Sequence, residues 1–452
     1  MKKPLYLLGI LVLFFLCAVP ASAAVTNGMV KVGLRYGGTA MASANLENTS
    51  AGGFSVGYYD ESRQFVSQGT VDATAITMVP SGGGVAVTAT SSGAVLYTGN
   101  DGLALVPNGG GPVWFRGNRY AGGFEYRLDG GALAVINVVT LEEYVKGVLP
   151  YEMPGHWPEE ALKAQAVCAR TFVCRTIGHP SHGFDVCGTI DCQVYSGLGN
   201  GSKGATEATD RAVDATAGQC LYYEGALIQA SYHSSNGGAT EDGEIVWGGS
   251  VPYLKGKLDP YETDVPNYSY TVTYTPAELT WVLQNSGYSI GTVKDVYVSG
   301  WTEVGNVAEV TFTDTSGKTL KVHGEACRMA FYSSTYNKNV RSLRFTIAGG
   351  SGGAGLYVND TGSRLPSLDG AAMISGGGTV SIHSGSGGAV ITSAGVEALE
   401  EGAAGSGGAF TITGTGNGHN VGLSQYGAKG MAEQGFSWQD ILNFYYTGVD
   451  IH

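Results

Sequence analysis

The sequence predicts a mixed α+β protein: a β-rich N-terminal region, a domain of mixed helices and strands, and an inserted Gly-rich β module. Three observations predict this class. Gly accounts for 72 of the 452 residues without a G-x-y period, which is typical of turns between short strands. Several short runs alternate apolar and polar residues. One stretch, 161–175, contains neither Gly nor Pro and follows a helix-start pattern.

Strand patterns dominate residues 25–125. Val30–Tyr36 alternates apolar and polar residues, as a half-buried strand does, and Phe54–Tyr58, Gly84–Thr88 and Ala94–Thr98 are similar. We therefore expect these residues to form the β-rich N-terminal region.

Residues 126–348 are expected to mix helices with strands. Leu133–Val139 has the composition of a strand, and Leu141–Val148 places its apolar residues on one helical face. Residues 157–160 put Pro at the first helical position and acids in the first turn, which suits the helix dipole. The sequence 161–175 continues that helix.

Residues 349–407 are rich in Gly and Ser and carry only short apolar runs. This composition predicts an inserted β module. A compact pattern returns over 408–452, where Phe410–Thr413 indicates a strand and two helices are expected on either side of Gly435.

The N-terminus has the organisation of a signal peptide over residues 1–23. Lys2 and Lys3 form a short positive region, residues 5–19 are apolar, and residues 21–23 are a small-residue cleavage site. The apolar stretch is short for a transmembrane span. We expect a secreted protein outside the cytoplasmic membrane, the alternative being an uncleaved anchor.

Composition restricts the ligand. Charged residues are only 14% of the chain, the formal net charge is −13, and no run is rich in Lys or Arg. Proteins that bind phosphate backbones normally show a basic patch. The sequence therefore argues against nucleic acid and predicts a neutral or mixed-charge ligand.

Glu152 lies in the stretch Gly147–Pro154, predicted to be a short loop between two helices. Its neighbours include Leu149, Met153 and Trp157. Such surroundings raise the pKa of a carboxyl by desolvation, so that it can stay protonated and donate a proton. A helix-capping or solvated loop glutamate is the alternative.

Two cations follow on the next helix. Lys163 and Arg170 share one face, while Gln165 lies on another face. The pair could orient Glu152 or hold sugar hydroxyls. A solvent-facing basic stripe is the alternative.

A third cluster combines His182, Cys187 and Cys192. Soft nitrogen and sulfur ligands this close in sequence suit zinc. A disulfide between Cys187 and Cys192 fits the spacing equally well. Of the seven cysteines, six remain once the signal peptide with Cys17 is removed, and an even number in an exported protein permits disulfides.

Two polar, Gly-rich motifs occupy residues 232–238 and 414–428. Ser234 follows His233, but adjacent strand residues point to opposite faces, so this His cannot easily serve as the base of that Ser. Ser234 does not stand in a hydrolase elbow G-x-S-x-G, because Tyr232 and Asn236 occupy the two glycine positions of that motif. The second motif lacks the Lys-Ser/Thr pair of a P-loop. We expect both motifs to line a groove, which His419, Ser424 and Gln425 share with Glu152. The alternative is a C-terminal cap in which His419 only satisfies buried carbonyls.

Together these stretches resemble the SpoIID/LytB family, whose members are similar to sporulation stage II protein D. The resemblance is dense over residues 133–262 and returns at 418–428. One departure is Asn420, where family members often have Gly. The motifs that carry the resemblance are Val135–Asn137, Leu141–Tyr144, Gly147–Pro154, Glu160–Val167, Arg170–Thr171, Cys192–Tyr195, Ala212–Val213, Tyr232–Gly238, Asp259–Tyr261 and Gly418–Ala428.

The resemblance implies a peptidoglycan lytic transglycosylase that cleaves glycan strands already stripped of their stem peptides, with 126–348 and 408–452 as its catalytic domain. It implies that Glu152 is the catalytic residue and that Lys163 and Arg170 support it. No cofactor is required, and structural zinc at His182, Cys187 and Cys192 is a candidate. The substrate-binding residues it suggests are Tyr195, Ser234, Ser235, Asp259, His419, Ser424, Gln425 and Tyr426.

This chemistry suits a single acid. A glycosidase that uses water normally needs two carboxylates, whereas a lytic transglycosylase takes its nucleophile from the substrate, the 6-hydroxyl of N-acetylmuramic acid. One glutamate can protonate the leaving oxygen and then accept the proton of that hydroxyl, which gives a 1,6-anhydro end. The sequence shows no second acid in a comparably distinctive motif.

Two other functions compete with this interpretation. The chain could be a non-catalytic glycan-binding enhancer of a cell-wall amidase, since LytB-type members have been described as amidase enhancers. It could also be a zinc-dependent amidase using His182, His233 or His419, although a clear set of three ligands is missing. The expected partners are glycan strands and an amidase that removes their stem peptides.

Overall fold

The computed structural model describes residues 25–50, 52–176, 178–201, 203–349 and 408–452, together with short strands between 356 and 398. The signal peptide predicted over 1–23 lies outside the described residues. Within the described part, no helix has the length and apolar character needed to cross a membrane.

The N-terminal part folds into antiparallel strands. Their bounds are β1 (Met29–Arg35), β2 (Ala44–Asn48), β3 (Phe54–Tyr59), β4 (Phe65–Val71), β5 (Ala75–Ser81), β6 (Gly84–Ala89), β7 (Val95–Asn100), β8 (Leu103–Pro107), β9 (Val113–Phe115), β10 (Asn118–Tyr120), β11 (Gly123–Asp129) and β12 (Ala132–Thr140).

Helices and shorter strands follow. Their bounds are α1 (Leu141–Glu152), α2 (Glu159–Arg175), β13 (Val186–Cys187), α3 (Glu207–Ala215), β14 (Leu221–Tyr223), β15 (Ala226–Leu227), β16 (Tyr232–His233), α4 (Gly243–Trp247), β17 (Ser269–Tyr274), α5 (Pro276–Asn285), β18 (Val293–Trp301), β19 (Val307–Asp314), β20 (Thr319–His323), α6 (Ala326–Met329) and β21 (Phe345–Ala348).

The last elements lie within the Gly-rich segment (β22–β27) or follow it (β28–β30, α7 and α8). Their bounds are β22 (Leu356–Tyr357), β23 (Arg364–Leu365), β24 (Ala372–Ser375), β25 (Gly378–Ser381), β26 (Ala389–Thr392), β27 (Gly395–Ala398), β28 (Phe410–Thr415), β29 (Leu423–Ser424), α7 (Gln425–Glu433), α8 (Trp438–Tyr445) and β30 (Asp450–Ile451). The mixture of helices and strands confirms the predicted α+β class.

Two sheets build the N-terminal part. One has the strand order β13-β1-β12-β11-β8-β3-β4 and the other β10-β9-β2-β5-β6-β7. The boundary predicted between residues 125 and 126 falls inside β11, and β12 and β13 belong to the first sheet. The reason is pairing: β12 lies between β1 and β11, which composition does not reveal.

One hydrophobic core joins these sheets to the helices. It includes Phe54 of β3, Val135 of β12, Val148 of α1 and Val167 of α2, all fully buried. Strand β12 runs directly into α1, and Thr140 caps that helix through its Oγ1, which accepts a hydrogen bond from the Glu143 amide at 3.3 Å. The position of α1 is therefore fixed by a central strand of the sheet.

The Gly-rich segment leaves and rejoins the domain at one place. Strand β21 pairs antiparallel with β28, and Ala348 lies opposite Thr411. Between them, β22 pairs with β23, β24 with β25, and β26 with β27. The short antiparallel pairs agree with the β character predicted for this segment.

We predict that deletion of residues 350–407 leaves a cooperatively folded protein. The deletion joins Gly349 to Gly408, whose φ angles of 97° and 76° suit a tight turn between β21 and β28. Circular dichroism and thermal unfolding of the deletion variant would measure this. Insoluble protein, or loss of the cooperative transition, would show that the segment contributes to the core.

Candidate active site

Glu152 is the last residue of α1, where the sequence analysis expected a loop. The helix continues through Pro150 and closes where the Met153 amide donates to the Leu149 carbonyl at 2.9 Å. The carboxyl therefore lies at the carboxyl end of a helix, where the helix dipole disfavours negative charge.

Two side chains hold the Glu152 carboxyl. Gln425 Nε2 donates to Glu152 Oε2 at 3.1 Å, and the Tyr232 hydroxyl also hydrogen-bonds this carboxyl. Burial raises the pKa of Glu152, and the hydrogen bonds from Gln425 and Tyr232 offset only part of that rise. The group is thus half-buried, oriented, and easier to protonate than an ordinary glutamate.

A chain of hydrogen bonds orients Tyr232. Its hydroxyl oxygen accepts from Gln193 Nε2 at 3.0 Å, and Gln193 Oε1 accepts from the Tyr144 hydroxyl at 3.1 Å. Because its oxygen accepts from Gln193, the Tyr232 hydroxyl keeps its proton available for Glu152, whose pKa it lowers. The sequence motifs contain Gln193 and Tyr232, but nothing in their spacing identified this role.

A short parallel strand pair brings the distant motifs together. Tyr232 of β16 lies opposite Leu423 of β29, and His233 lies opposite Ser424. Ser424 then caps α7, since its Oγ accepts from the Gly427 amide at 3.1 Å. This cap fixes the start of α7, so that Gln425, its first residue, lies against Glu152.

Glu262 is an acid that the sequence analysis missed. Its Oε1 accepts from Ser424 Oγ at 2.6 Å and from the Asn236 amide at 2.5 Å, and its Oε2 accepts from the Gly237 amide at 2.9 Å. Burial raises the pKa of Glu262 to about 7, although these hydrogen bonds oppose the shift. The available signal was its place directly after the motif Asp259–Tyr261.

The two cations predicted to support Glu152 are engaged elsewhere. Arg170 is fully buried, pairs with Glu142 at 2.6 Å, and donates to the Gln219 carbonyl at 3.1 Å. Lys163 pairs with Glu159 at 3.0 Å and with Glu160 at 2.8 Å. These contacts correct the prediction and make Arg170 a structural residue.

Helix geometry gives the reason. Lys163 and Arg170 do share a face of α2, but Gln165 points about 140° away from Arg170, at 100° per residue. Gln165 Oε1 accepts from Gln425 Nε2 at 3.4 Å, so the Gln165 face is the one directed at Glu152. Periodicity identified both faces without indicating which one meets the acid.

Five residues predicted to bind substrate are buried: Tyr195, Ser235, Asp259, Ser424 and Gln425. Tyr195 donates to Asn137 Oδ1 at 2.6 Å, and the Asp259 carboxylate accepts from Asn236 Nδ2 at 2.6 Å and from the Tyr445 hydroxyl at 2.7 Å. Ser235 is fully buried. This corrects the prediction for Tyr195, Ser235 and Asp259: the hydrogen bonds of Tyr195 and Asp259 hold the motifs together, and none of these three residues is presented to a ligand.

His419 is half-buried, with both ring nitrogens bonded to backbone. Nε2 donates to the Tyr232 carbonyl at 3.1 Å, and Nδ1 accepts from the Val421 amide at 3.1 Å. The residue therefore joins the two motifs. Ser234 and Tyr426 are also half-buried, and Tyr426 contacts the ring of Trp157 edge-on at 4.9 Å.

Asn420 stands at a position that requires left-handed backbone, with a φ of 65°. Asn adopts this conformation more readily than most residues, which accounts for its replacing Gly. Its side chain also donates to the carbonyls of Asn236 and Ala239, at 2.5 and 3.1 Å. The substitution thus adds contacts that Gly cannot make.

A candidate metal cluster combines one histidine with two cysteines. Ligand atoms of His179, Cys187 and Cys192 all lie within 4.8 Å of one another. This corrects the predicted set, because His182 lies in a 3₁₀ turn and stacks on Phe184, whereas His179 approaches Cys192 Sγ at 3.4 Å. One imidazole and two thiols form a donor set that fits zinc.

Comparison with known proteins identifies the family. The family described as "Stage II sporulation protein" (SpoIID) matches residues 129–223. Stage II sporulation protein D of Bacillus amyloliquefaciens is 31% identical over 325 residues, which are 69% of this chain and 74% of that protein. This chain belongs to the SpoIID family. Stage II sporulation protein D of Bacillus subtilis (strain 168) is 29% identical over 326 residues.

A further SpoIID relative carries a different name. The "Amidase enhancer" of Bacillus subtilis (strain 168) is 31% identical over 338 residues, which are 68% of this chain but 40% of that protein. The matched SpoIID segment contains Glu152, Arg170 and the cluster of His179, Cys187 and Cys192. Gln425 and Glu262 lie outside it, in parts of the chain that the fold brings back to the same place.

Replacing Arg170 with Met is expected to reduce stability and not the chemical step. Removing a fully buried cation leaves the Glu142 carboxylate unpaired, at a cost of about 3 kcal/mol. Lys163→Ala, which removes a cation from a less buried pair, should cost less than about 1 kcal/mol. Denaturant unfolding measures both. Equal losses, or an unchanged Arg170→Met variant, would contradict this structural role.

Glu262 should make stability depend on pH. A carboxyl whose pKa rises from 4.5 to about 7 on folding binds its proton more tightly in the folded state. The folded state is therefore destabilised as pH rises from about 4.5 to about 7, by about 3 kcal/mol in total. The Glu262→Gln variant, which mimics the neutral form, should lack this slope.

The measurement is the difference in free energy of unfolding between wild type and Glu262→Gln at pH 5 and pH 8. Glu207→Gln, at an exposed position, controls for the change in net charge. A difference that stays constant with pH would contradict the raised pKa of Glu262.

Proposed function

We propose that this chain is a peptidoglycan lytic transglycosylase that cleaves the bond between N-acetylmuramic acid and N-acetylglucosamine in peptide-stripped glycan strands. The single observation that supports it best is the Glu152 carboxyl: half-buried, with a raised pKa, and held between Tyr232 and Gln425. That is the environment required of a general acid that later acts as a base.

In this mechanism Glu152 first protonates the glycosidic oxygen as the bond breaks. The carboxylate that results is stabilised by hydrogen bonds from Gln425 and Tyr232, both of which favour the charged form. It then accepts the proton of the 6-hydroxyl as that oxygen attacks the anomeric carbon, giving the 1,6-anhydro end. Glu152 ends protonated and ready for another cycle.

The protein's setting is proposed on the same basis. Family membership and the predicted signal peptide support a secreted protein that acts on the cell wall, in sporulation (engulfment) or wall remodelling. Its partner is an amidase that removes stem peptides before the glycan is cleaved.

We also propose a structural zinc ion held by His179, Cys187 and Cys192. It would fix the segment that follows α2, and it takes no part in glycan cleavage. The metal content of the purified protein measures its occupancy.

One relative favours a second function. The protein named "Amidase enhancer" is 31% identical to this chain, which supports a glycan-binding protein that stimulates a separate amidase. The same cleft would serve that role, but proton transfer by Glu152 would be unnecessary.

Glu152→Gln is expected to lower kcat for release of 1,6-anhydro ends from peptide-stripped glycan strands by about 10²–10⁴-fold. The change removes the transferable proton while keeping the shape of the side chain. Glu159→Gln makes the same chemical change nearby on the surface and should leave kcat unaltered. Near wild-type turnover by a folded Glu152→Gln protein would exclude Glu152 as the acid.

The same variants separate the two functions. If the chain acts only as an enhancer, wild type should release no 1,6-anhydro ends, and Glu152→Gln should stimulate an added cell-wall amidase as well as wild type does. Chromatography of the released muropeptides distinguishes these outcomes.

A further inference from the structure

The thiols of Cys174 and Cys220 meet at a place that the proposed chemistry does not use. Cys174 lies in the last turn of α2, and Cys220 immediately precedes β14. Both are free thiols in the structure, one half-buried and one buried. Each thiol has the largest effect on the pKa of the other, so the two side chains are neighbours.

The backbone around these thiols is held in register by neighbouring contacts. Arg170 Nη1 donates to the Gln219 carbonyl at 3.1 Å, and the Leu221 amide donates to Thr171 Oγ1 at 3.0 Å. Cys174 lies one helical turn beyond Arg170 and Thr171, and Cys220 lies between Gln219 and Leu221. The helix face and the strand therefore meet on both sides of the thiol pair.

This pair differs from the other pair of neighbouring thiols. Cys187 and Cys192 are accompanied by His179, and together these three residues are the only candidate metal group found among the described residues. Cys174 and Cys220 have no such third ligand there. Metal binding thus suits the first pair, while two isolated neighbouring thiols suit a covalent bond.

We propose that Cys174 and Cys220 form a disulfide that stabilises the catalytic domain, an inference that rests on the proposed export of the protein but not on its enzymatic activity. The bond closes a loop of roughly 45 residues and ties the end of α2 to β14. It lies beside the Arg170–Glu142 pair, which joins α2 to the helix that ends in Glu152.

The chemistry is thiol–disulfide exchange with a small-molecule disulfide such as oxidised glutathione. A thiolate of the pair attacks the small disulfide and releases one small thiol. The second protein thiol then displaces the other, so that one S–S bond forms and one is reduced. The hydrogen bond from Cys174 and the charge of Arg170 lower the pKa of Cys220, which supplies the thiolate.

The first test is a disulfide map of the full-length protein equilibrated in glutathione redox buffer. Free thiols are alkylated in denaturant without reduction, and the peptides are analysed by mass spectrometry. We expect Cys174 linked to Cys220, with Cys168 and Cys327 alkylated. Alkylation of both Cys174 and Cys220, or linkage of either to another cysteine, would overturn the proposal.

The second test compares the effect of reductant on Tm in two variants. Reduction should lower the Tm of wild type and of Cys327→Ser by roughly 5–10 °C more than that of Cys174→Ser. Cys327 is a buried thiol that donates to the Val322 carbonyl, so its variant is a matched control. A Cys174→Ser protein that responds to reductant as wild type does would overturn the proposal. Neither test depends on glycan cleavage.

Discussion

The parallel pairing of β16 with β29 is the contact on which the candidate site depends. It places Tyr232 beside Leu423 and His233 beside Ser424, and Gln425 follows at once as the first residue of α7. The two side chains that contact Glu152, those of Tyr232 and Gln425, therefore lie in this strand pair or directly after it. Closing so long a stretch of chain costs conformational entropy, so other contacts must stabilise a ladder of only two residues per strand.

Those contacts are polar and buried. Asp259 accepts from Asn236 and Tyr445, and Glu262 accepts from Ser424 and the Asn236–Gly237 turn. A buried polar group costs stability unless it is hydrogen-bonded, and a fully satisfied network fixes one arrangement. Many polar residues of the motifs therefore hold the site in shape, and the group proposed to react is the single carboxyl of Glu152.

The N-terminal sheet supplies the other fixed point. β12 lies between β1 and β11 and passes straight into α1 through the Thr140 cap, so the end of that helix, and Glu152 with it, is held by a central strand. The Arg170–Glu142 pair then holds α2 against α1. Strand β12 and helix α1 fix the position of Glu152, and the motifs joined by the β16–β29 pair orient its carboxyl.

The sequence by itself determined the α+β class, the strands and helices with clear periodicity, such as β1, β12, α1 and α2, and the apolar surroundings that raise the pKa of Glu152, because periodicity, caps and near neighbours are local properties of the chain. It also indicated that Lys163 and Arg170 share a face of α2. Only the tertiary structure decided that the Gln165 face meets the acid and that His179 replaces His182. The contacts of Gln425 with Glu152 and of Glu262 with Ser424 were likewise decided only by the tertiary structure. Such contacts join segments far apart in the chain, and they depend on how the elements pack, which no local pattern encodes.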